Sequence, residues 1–253
     1  MYQTITKKIV ELGDSLPMHS GNMPDIGKTK QYLTEKDLEI ETELKKIINT
    51  FPGNHTLYAE ELHDALVEDI ENESIWIIDP ISNTRNFIHG MPHYSVVLSH
   101  LYKGEIKFAV VYDPSNKELF TAEKGKGAFL NNQPMHVSNR QKELFFMLGP
   151  IDIADVSRKK VLKIISKLWT SDNLRILGSL GLHYAYVACG RIDTAISFNI
   201  DTFPEFAGKL LVEEAGGKFT DFNGNALVPE TRGIIATNGL IHDQIQDLVN
   251  EVV

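Results

Sequence analysis

WIIDPISNTRNF, residues 76–87, is a buried strand that runs into a polar turn. Three apolar residues, with Ile75 before them, stop at Asp79–Pro80. An uninterrupted run of this kind fits a strand covered on both faces. Pro80 cannot donate to a ladder, so it marks the place where regular pairing ends. A carboxylate at the end of such a strand is held by rigid backbone, which hard cations such as Mg²⁺ favour. A lone Asp-Pro is weak evidence, because it also starts ordinary turns.

The chain on both sides of this stretch has strong periodicity. Before this strand, Ile5, Ile9, Val10 and Leu16 fall at helical spacing, as do Leu38, Ile40, Leu44, Ile47 and Ile48. Pro52–Gly53 ends the second of these helices. After it, YSVVLSHLY and EIKFAVVYDP are β-branched runs joined at Lys103–Gly104, a hairpin signal. KELFTAEKGKGAFLNNQPMHVS reads as two further strands around a Gly-containing turn. From about residue 145 strands and helices alternate: LFFML, VSRKKVLKIISKLW, LRILGS, LGLHYAYVACG, TAISF, FPEFAGKLLVEEAGG, GIIATN and IHDQIQDLVNEVV. The expectation is an α/β chain with an antiparallel-rich part over 1–145 and an alternating α/β part over 146–253, packed as one unit.

Composition removes several classes of function. The formal net charge is −9, which argues against a nucleic-acid backbone or an anionic membrane as main partner. The single cysteine, Cys189, lies in the apolar stretch AYVACGRI and cannot form an internal disulfide; it reads as a core residue. No stretch approaches the ~20 apolar residues of a membrane span, and the start MYQTITKKIVELGDSL mixes charge into every turn, so a cytoplasmic location is expected.

Three apparent motifs dissolve on inspection. GNMPDIGKT has five residues between Gly21 and Gly27, where a P-loop has four, and no strand precedes it. His89 and His93 have the spacing of helical zinc ligands, but Gly90 and Pro92 lie between them. GKGAF at 125–129 is a turn without a βαβ unit around it.

WIIDPISNTRNF resembles the signature of the inositol monophosphatase family, W-hydrophobic-hydrophobic-D-P-hydrophobic-D-G-T-x-N-F. Further stretches are similar in order: YLTEKDLEIE at 32–41, AEE at 59–61, GEIKFAVVYDPSNKELFTAEKGKGAFLNNQPMHVS, and FAGKLLVEEAGGKFTDFNG. The resemblance covers nearly the whole chain. It implies a layered α-β-α-β-α sandwich, hydrolysis of a small phosphomonoester by metal-activated water, and a homodimer. It implies one metal held by Glu60, Asp79 and the Ile81 carbonyl. It brings Thr84 and Glu61 into the catalytic group, with Thr84 orienting the attacking water. Asn83, Arg85, Gly178, Ser179 and Ser197 fall at substrate-facing positions.

The departures from this pattern are specific. Ser82 stands where the signature has its second Asp, and Asn83 where it has Gly. Counting back from Gly208, the family's late W-D falls on Phe203–Pro204, and the Glu that holds substrate hydroxyls falls on Ser197. A second metal would keep only Asp79, so at most one tightly bound Mg²⁺ is expected. Asp201 and Glu205 lie near Pro204; Thr202-Phe203-Pro204-Glu205 reads as a capping box that gives Glu205 a structural task. Arg85 adds a cation that could hold a phosphate with its planar fork, or could point to solvent. Two readings follow: a working Mg²⁺ phosphatase on a small phosphorylated metabolite, or a descendant with weak or lost hydrolysis that binds a ligand or partner.

Overall fold

The structure is a computed structural model that describes residues 1–17, 24–26, 33–60, 74–149, 158–169, 173–198, 203–229 and 231–252. Its elements run α1 (Tyr2–Asp14), α2 (Glu35–Ile48), β1 (Thr56–Ala59), β2 (Ile75–Ser82), α3 (Thr84–Ile88), β3 (Ser95–Tyr102), β4 (Glu105–Asp113), β5 (Glu118–Glu123), β6 (Gly127–Leu130), β7 (Gln133–Met135) and β8 (Phe146–Leu148). They continue with α4 (Arg158–Leu168), β9 (Leu174–Arg175), α5 (Leu180–Ala188), β10 (Thr194–Ser197), α6 (Phe203–Glu214), β11 (Lys218–Asp221), β12 (Ile234–Thr237) and α7 (His242–Asn250).

Two sheets carry the fold. The first holds β1 to β7 in chain order. Its β1–β2 pair is parallel and its other pairs are antiparallel. The second has the order β11-β12-β10-β8-β9, with β8 parallel to both β10 and β9.

The period-2 geometry of strands distributes their side chains to two cores. Trp76, Ile78, Val96, Leu98, Phe108 and Val110 face α1 and α2. Ile75, Ile77, Val97, Ala109 and Val111 face the other way, onto α5 and α6. Those helices also cover Met147, Ala195 and Ala236 of the second sheet. On that sheet's far side, Leu148, Ile196 and Ile235 pack with Val161, Ile164 and Leu168 of α4 and Ile245 and Val249 of α7. The result is the α-β-α-β-α layering expected from the sequence. Every residue of β2 is buried, as its continuous apolar run requires.

The central helices touch closely. A Cβ on Gly208 of α6 would sit 2.2 Å from the Tyr184 ring of α5. Gly208→Ala should therefore destabilise the protein by ~1–3 kcal/mol despite the better helix propensity of alanine. Urea titration would check this; an unchanged midpoint would show that the α5–α6 contact yields freely.

Several elements differ from the sequence reading. The segment after β4 forms three strands, because Asn131 and Asn132 both take positive φ and close a further hairpin. LRILGS gives only the two-residue β9, and Lys218–Asp221 adds a strand beside β12. The turn after Ser82 contains the short helix α3.

Candidate active site

The site lies where β1 and β2 end side by side. Their parallel register pairs Ala59 with Ile78, and the Glu60 amide donates to the Ile78 carbonyl at 3.1 Å. Glu60 and Asp79 are the residues that follow this last pair, one on each chain segment. Asp79 is buried and Glu60 half-buried. Beyond Asp79 the pairing with β3 slips: Asp79 faces Val97 and Ser82 faces Ser95, so one extra residue is accommodated. Pro80 lies in that bulge, a position open to proline inside a central strand. The bulge lets the Ile81 carbonyl turn to accept the Thr84 hydroxyl at 3.0 Å.

Thr84 reaches a second acceptor, Asp37 Oδ1, at 3.1 Å. Asp37, inside YLTEKDLEIE, carries no local sequence signal of this contact. Its other oxygen closes the capping box of α2, accepting the Thr34 amide at 2.8 Å and the Thr34 hydroxyl at 2.6 Å. One carboxylate thus starts a helix and holds Thr84. Burial pushes the Asp37 carboxyl up to about 6 against the pull of its bonds to Thr34 and Thr84, and the Glu60 charge adds to the rise.

The turn is tied to the second sheet. Asn83 takes φ 72 and ψ 62, the left-handed region that asparagine tolerates, and its Oδ1 accepts the Asn86 amide at 2.9 Å. Asn86 Nδ2 donates to the carbonyls of His93 at 2.8 Å and Leu177 at 2.7 Å. Gly178, at φ +110, lies against Asn83: a Cβ there would stand 1.6 Å from Asn83 Nδ2. Asn83, Thr84 and Gly178 therefore share one small neighbourhood with Asp79. Asn86, not singled out from the sequence, links its two sides.

Other candidate positions have visible structural tasks. Ser179 is buried, caps α5, and shares a 3.0 Å hydrogen bond with Ser95 Oγ. Ser197 is buried at the end of β10, opposite Ile234. Ser82 is buried in the last position of β2. Pro204 is buried in the first turn of α6. Glu205 is buried and accepts the Tyr184 hydroxyl at 3.1 Å. Arg85 stands exposed on α3. Glu61, Asp201 and Thr202 lie outside the described residues.

As chemistry, two neighbouring carboxylates and a carbonyl turned by a bulge are an oxygen donor set suited to a hard cation. Among the described residues no cluster of three or more His, Cys, Asp or Glu side chains suits a metal. A site here therefore depends on the Ile81 carbonyl as its third donor.

Comparison with known proteins bears on the same stretch of chain. Residues 11–253 match the inositol monophosphatase family. A Thermotoga maritima protein described as fructose-1,6-bisphosphatase/inositol-1-monophosphatase is 34% identical over 250 residues, covering 98% of this chain and 94% of its own. The Nus factor SuhB of Pseudomonas aeruginosa is 34% identical over 219 residues, covering 83% of this chain and 79% of its own. A solved Thermotoga maritima IMPase superposes with TM-score 0.87 at 32% identity, covering 99% of this chain and 97% of that one. The family is Mg²⁺-dependent, and more distant structural relatives have been solved with Mg²⁺ or Ca²⁺ bound. Among the described residues, no helix is long and apolar enough to cross a membrane.

Proposed function

Since this chain belongs to the inositol monophosphatase family, we propose that it is a phosphatase-like protein with a one-cation site and slow hydrolysis of a small phosphorylated metabolite. Glu60, Asp79 and the Ile81 carbonyl would hold one Mg²⁺. When bound, that ion supplies Lewis-acid neutralisation of the phosphoryl charge. A second ion lacks ligands, because Ser82 and Pro204 occupy positions at which the family pattern has carboxylates. Two-metal sites clamp both the attacking and the leaving oxygen. A chain with one cation keeps only part of that stabilisation.

The observation that carries the reading is the Thr84–Asp37 hydrogen bond beside Asp79. A hydroxyl has one proton, and Thr84 has two acceptors in reach, Asp37 Oδ1 and the Ile81 carbonyl. When the carbonyl faces a cation, the Thr84 proton goes to Asp37. The lone pairs of Thr84 Oγ1 are then free to accept a hydrogen bond from a water and to aim it. As the water oxygen bonds to phosphorus and the ester P–O bond breaks, the water proton passes to Thr84 Oγ1, the Thr84 proton passes to Asp37, and the departing alkoxide takes a proton from solvent. A buried carboxylate is a workable acceptor for this step near neutral pH.

Isothermal titration with Mg²⁺ tests the proposal. One site per chain is expected, lost in Asp79→Asn, with slow phosphate release from inositol 1-phosphate. Two Mg²⁺ per wild-type chain would refute it.

A second reading has its own support. Relatives of about this length are called Nus factor SuhB, a name that states no phosphatase activity. On that reading the chain is a partner protein, and the changes at Ser82, Pro204 and Ser197 are relaxed catalytic positions.

A further inference from the structure

We propose that the outer shoulder of α4 is a docking surface for an acidic amphipathic helix of a partner protein. This inference rests on no reading of the phosphatase site.

The helix RKKVLKIISKL has five basic residues and no acidic one. The chain as a whole has net charge −9, so everything outside α4 sums to −14 (−9 minus +5). The other 20 Lys and Arg lie among all 34 Asp and Glu, so α4 is a purely basic helix on an acidic body.

The inward face of α4 is settled: Val161, Ile164 and Leu168 are buried in the core of the second sheet. A second apolar stripe runs beside it. Leu162, Ile165 and Trp169 follow the i, i+3, i+7 pattern of a helix contact ridge. Ile165 is partly buried, but Leu162 is 58% and Trp169 66% exposed, the two most exposed large apolar residues of the described chain. At 100° per residue, Lys159 and Lys163 lie along the outer border of this stripe, about 60–100° beyond Leu162. Both are exposed, and neither has an ion pair among the described residues. Lys167 instead pairs with Glu251, the residue just after α7.

Two features choose the occupant. Leu162 and Trp169 are two turns apart, ~10.5 Å along the axis, which matches the ridge of one helix rather than an extended polymer. The lysine border calls for carboxylates beside that ridge. A nucleic-acid strand or an anionic bilayer would have to approach a body of charge −14, which repels extended polyanions. A short helix with leucines on one stripe and glutamates along its edge meets α4 alone.

The test uses the full chain and a synthetic helix of ~18 residues, long enough to be helical, with leucines at i, i+3, i+4, i+7 and glutamates at their flanks. The chain has two tryptophans, and Trp76 is fully buried and stacked on His100 at 4.2 Å, so a change in emission on binding reports Trp169. The peptide should move that emission to shorter wavelength. A scrambled peptide of equal charge, single-stranded RNA and phosphatidylglycerol vesicles should not. Leu162→Ser and Lys159→Glu/Lys163→Glu should each weaken binding ~10-fold or more, with thermal unfolding unchanged because all three side chains are exposed. No binding of the designed helix overturns the proposal. So does equal binding of the scrambled peptide, the RNA or the vesicles. So does an emission shift that appears with protein concentration alone, which would make a second copy the occupant.

Discussion

On acidification from pH 7, the protein should lose stability from just above pH 6 and unfold before about pH 4. Four buried histidines set this. Desolvation holds His93, His100 and His242 down to about 4 and His183 down to about 3. Their exposure is between 0% and 7%, so the penalty on the charged form is not relieved by water. Smaller Coulombic pushes come from His55 on His100, His93 on His183 and Lys218 on His242. For each, the folded pKa lies below the unfolded value of about 6.5. Between those values the unfolded chain binds the extra proton, so the stabilising contribution is present above about pH 6.5 and is lost as pH falls towards 4. Asp37 works in the opposite direction, since its carboxyl is raised to about 6 and keeps a proton in the folded state that the unfolded chain releases above ~4. Asp113, whose carboxyl is also raised by burial, acts with Asp37, so four histidines outweigh two carboxyls and leave a net proton uptake on unfolding near pH 5, on the order of 3 kcal/mol per pH unit. That slope consumes an ordinary stability of ~5–15 kcal/mol within a few pH units. Urea midpoints measured from pH 7.5 to 4.5 would check it; a flat profile would show that the histidines are charged in the folded state. His183 supplies the control. Its two ring nitrogens are buried without a hydrogen-bond partner among the described residues, and the ring is fully buried. His183→Leu should cost little at pH 7 and should make the acid limb shallower by about one proton.

Much of this molecule was legible because its signals are local. The uninterrupted run before Asp79 gave a doubly covered strand, and β2 is buried throughout. Asp79–Pro80 gave the end of regular pairing, and the bulge lies there. Lys103–Gly104 gave the β3–β4 hairpin, and both residues have positive φ. The misses were of two kinds. Asn131–Asn132 and Gly216–Gly217 are local turn signals, and each leads into a short strand. Asp37 was a different case. Its capping-box spacing from Thr34 is readable in the chain, but its contact with Thr84 spans 47 residues and exists only because α2 packs on β2. The clamp by Asn86 is equally non-local, reaching Leu177 across 91 residues. Hydrophobic periodicity specifies layers; it does not specify which polar side chains meet where two layers end.

Turnover on inositol 1-phosphate or a similar monoester at saturating Mg²⁺ should be well below the usual enzyme range of ~1–10³ s⁻¹. The reason is electrostatic. Losing one such stabilising element typically costs ~10²–10³ in rate, and here Ser82, Pro204 and Ser197 depart together. Within the residual activity, Thr84→Ala or Asp37→Asn should remove a further ~10²-fold, because the attacking water loses its orienting acceptor. Asp37→Asn also cuts into the α2 cap, so Thr84→Ala is the cleaner variant; if it left turnover unchanged, the Thr84–Asp37 pair would have no part in hydrolysis. Ser82→Asp with Pro204→Asp is the converse experiment. Both positions are buried, so without metal the added carboxylates should destabilise the chain. If they complete a second cation site, Mg²⁺ restores that loss, and the melting temperature of the double variant becomes Mg²⁺-dependent, by ~2.7 kcal/mol at a concentration 100 times Kd. Calorimetry should then count two ions where wild type binds one. Turnover should rise less than metal binding, since Ser197 still supplies no carboxylate for substrate hydroxyls. Wild-type turnover of ~1 s⁻¹ or more would overturn this account. It would place the missing ligands in residues such as Glu61 or Asp201.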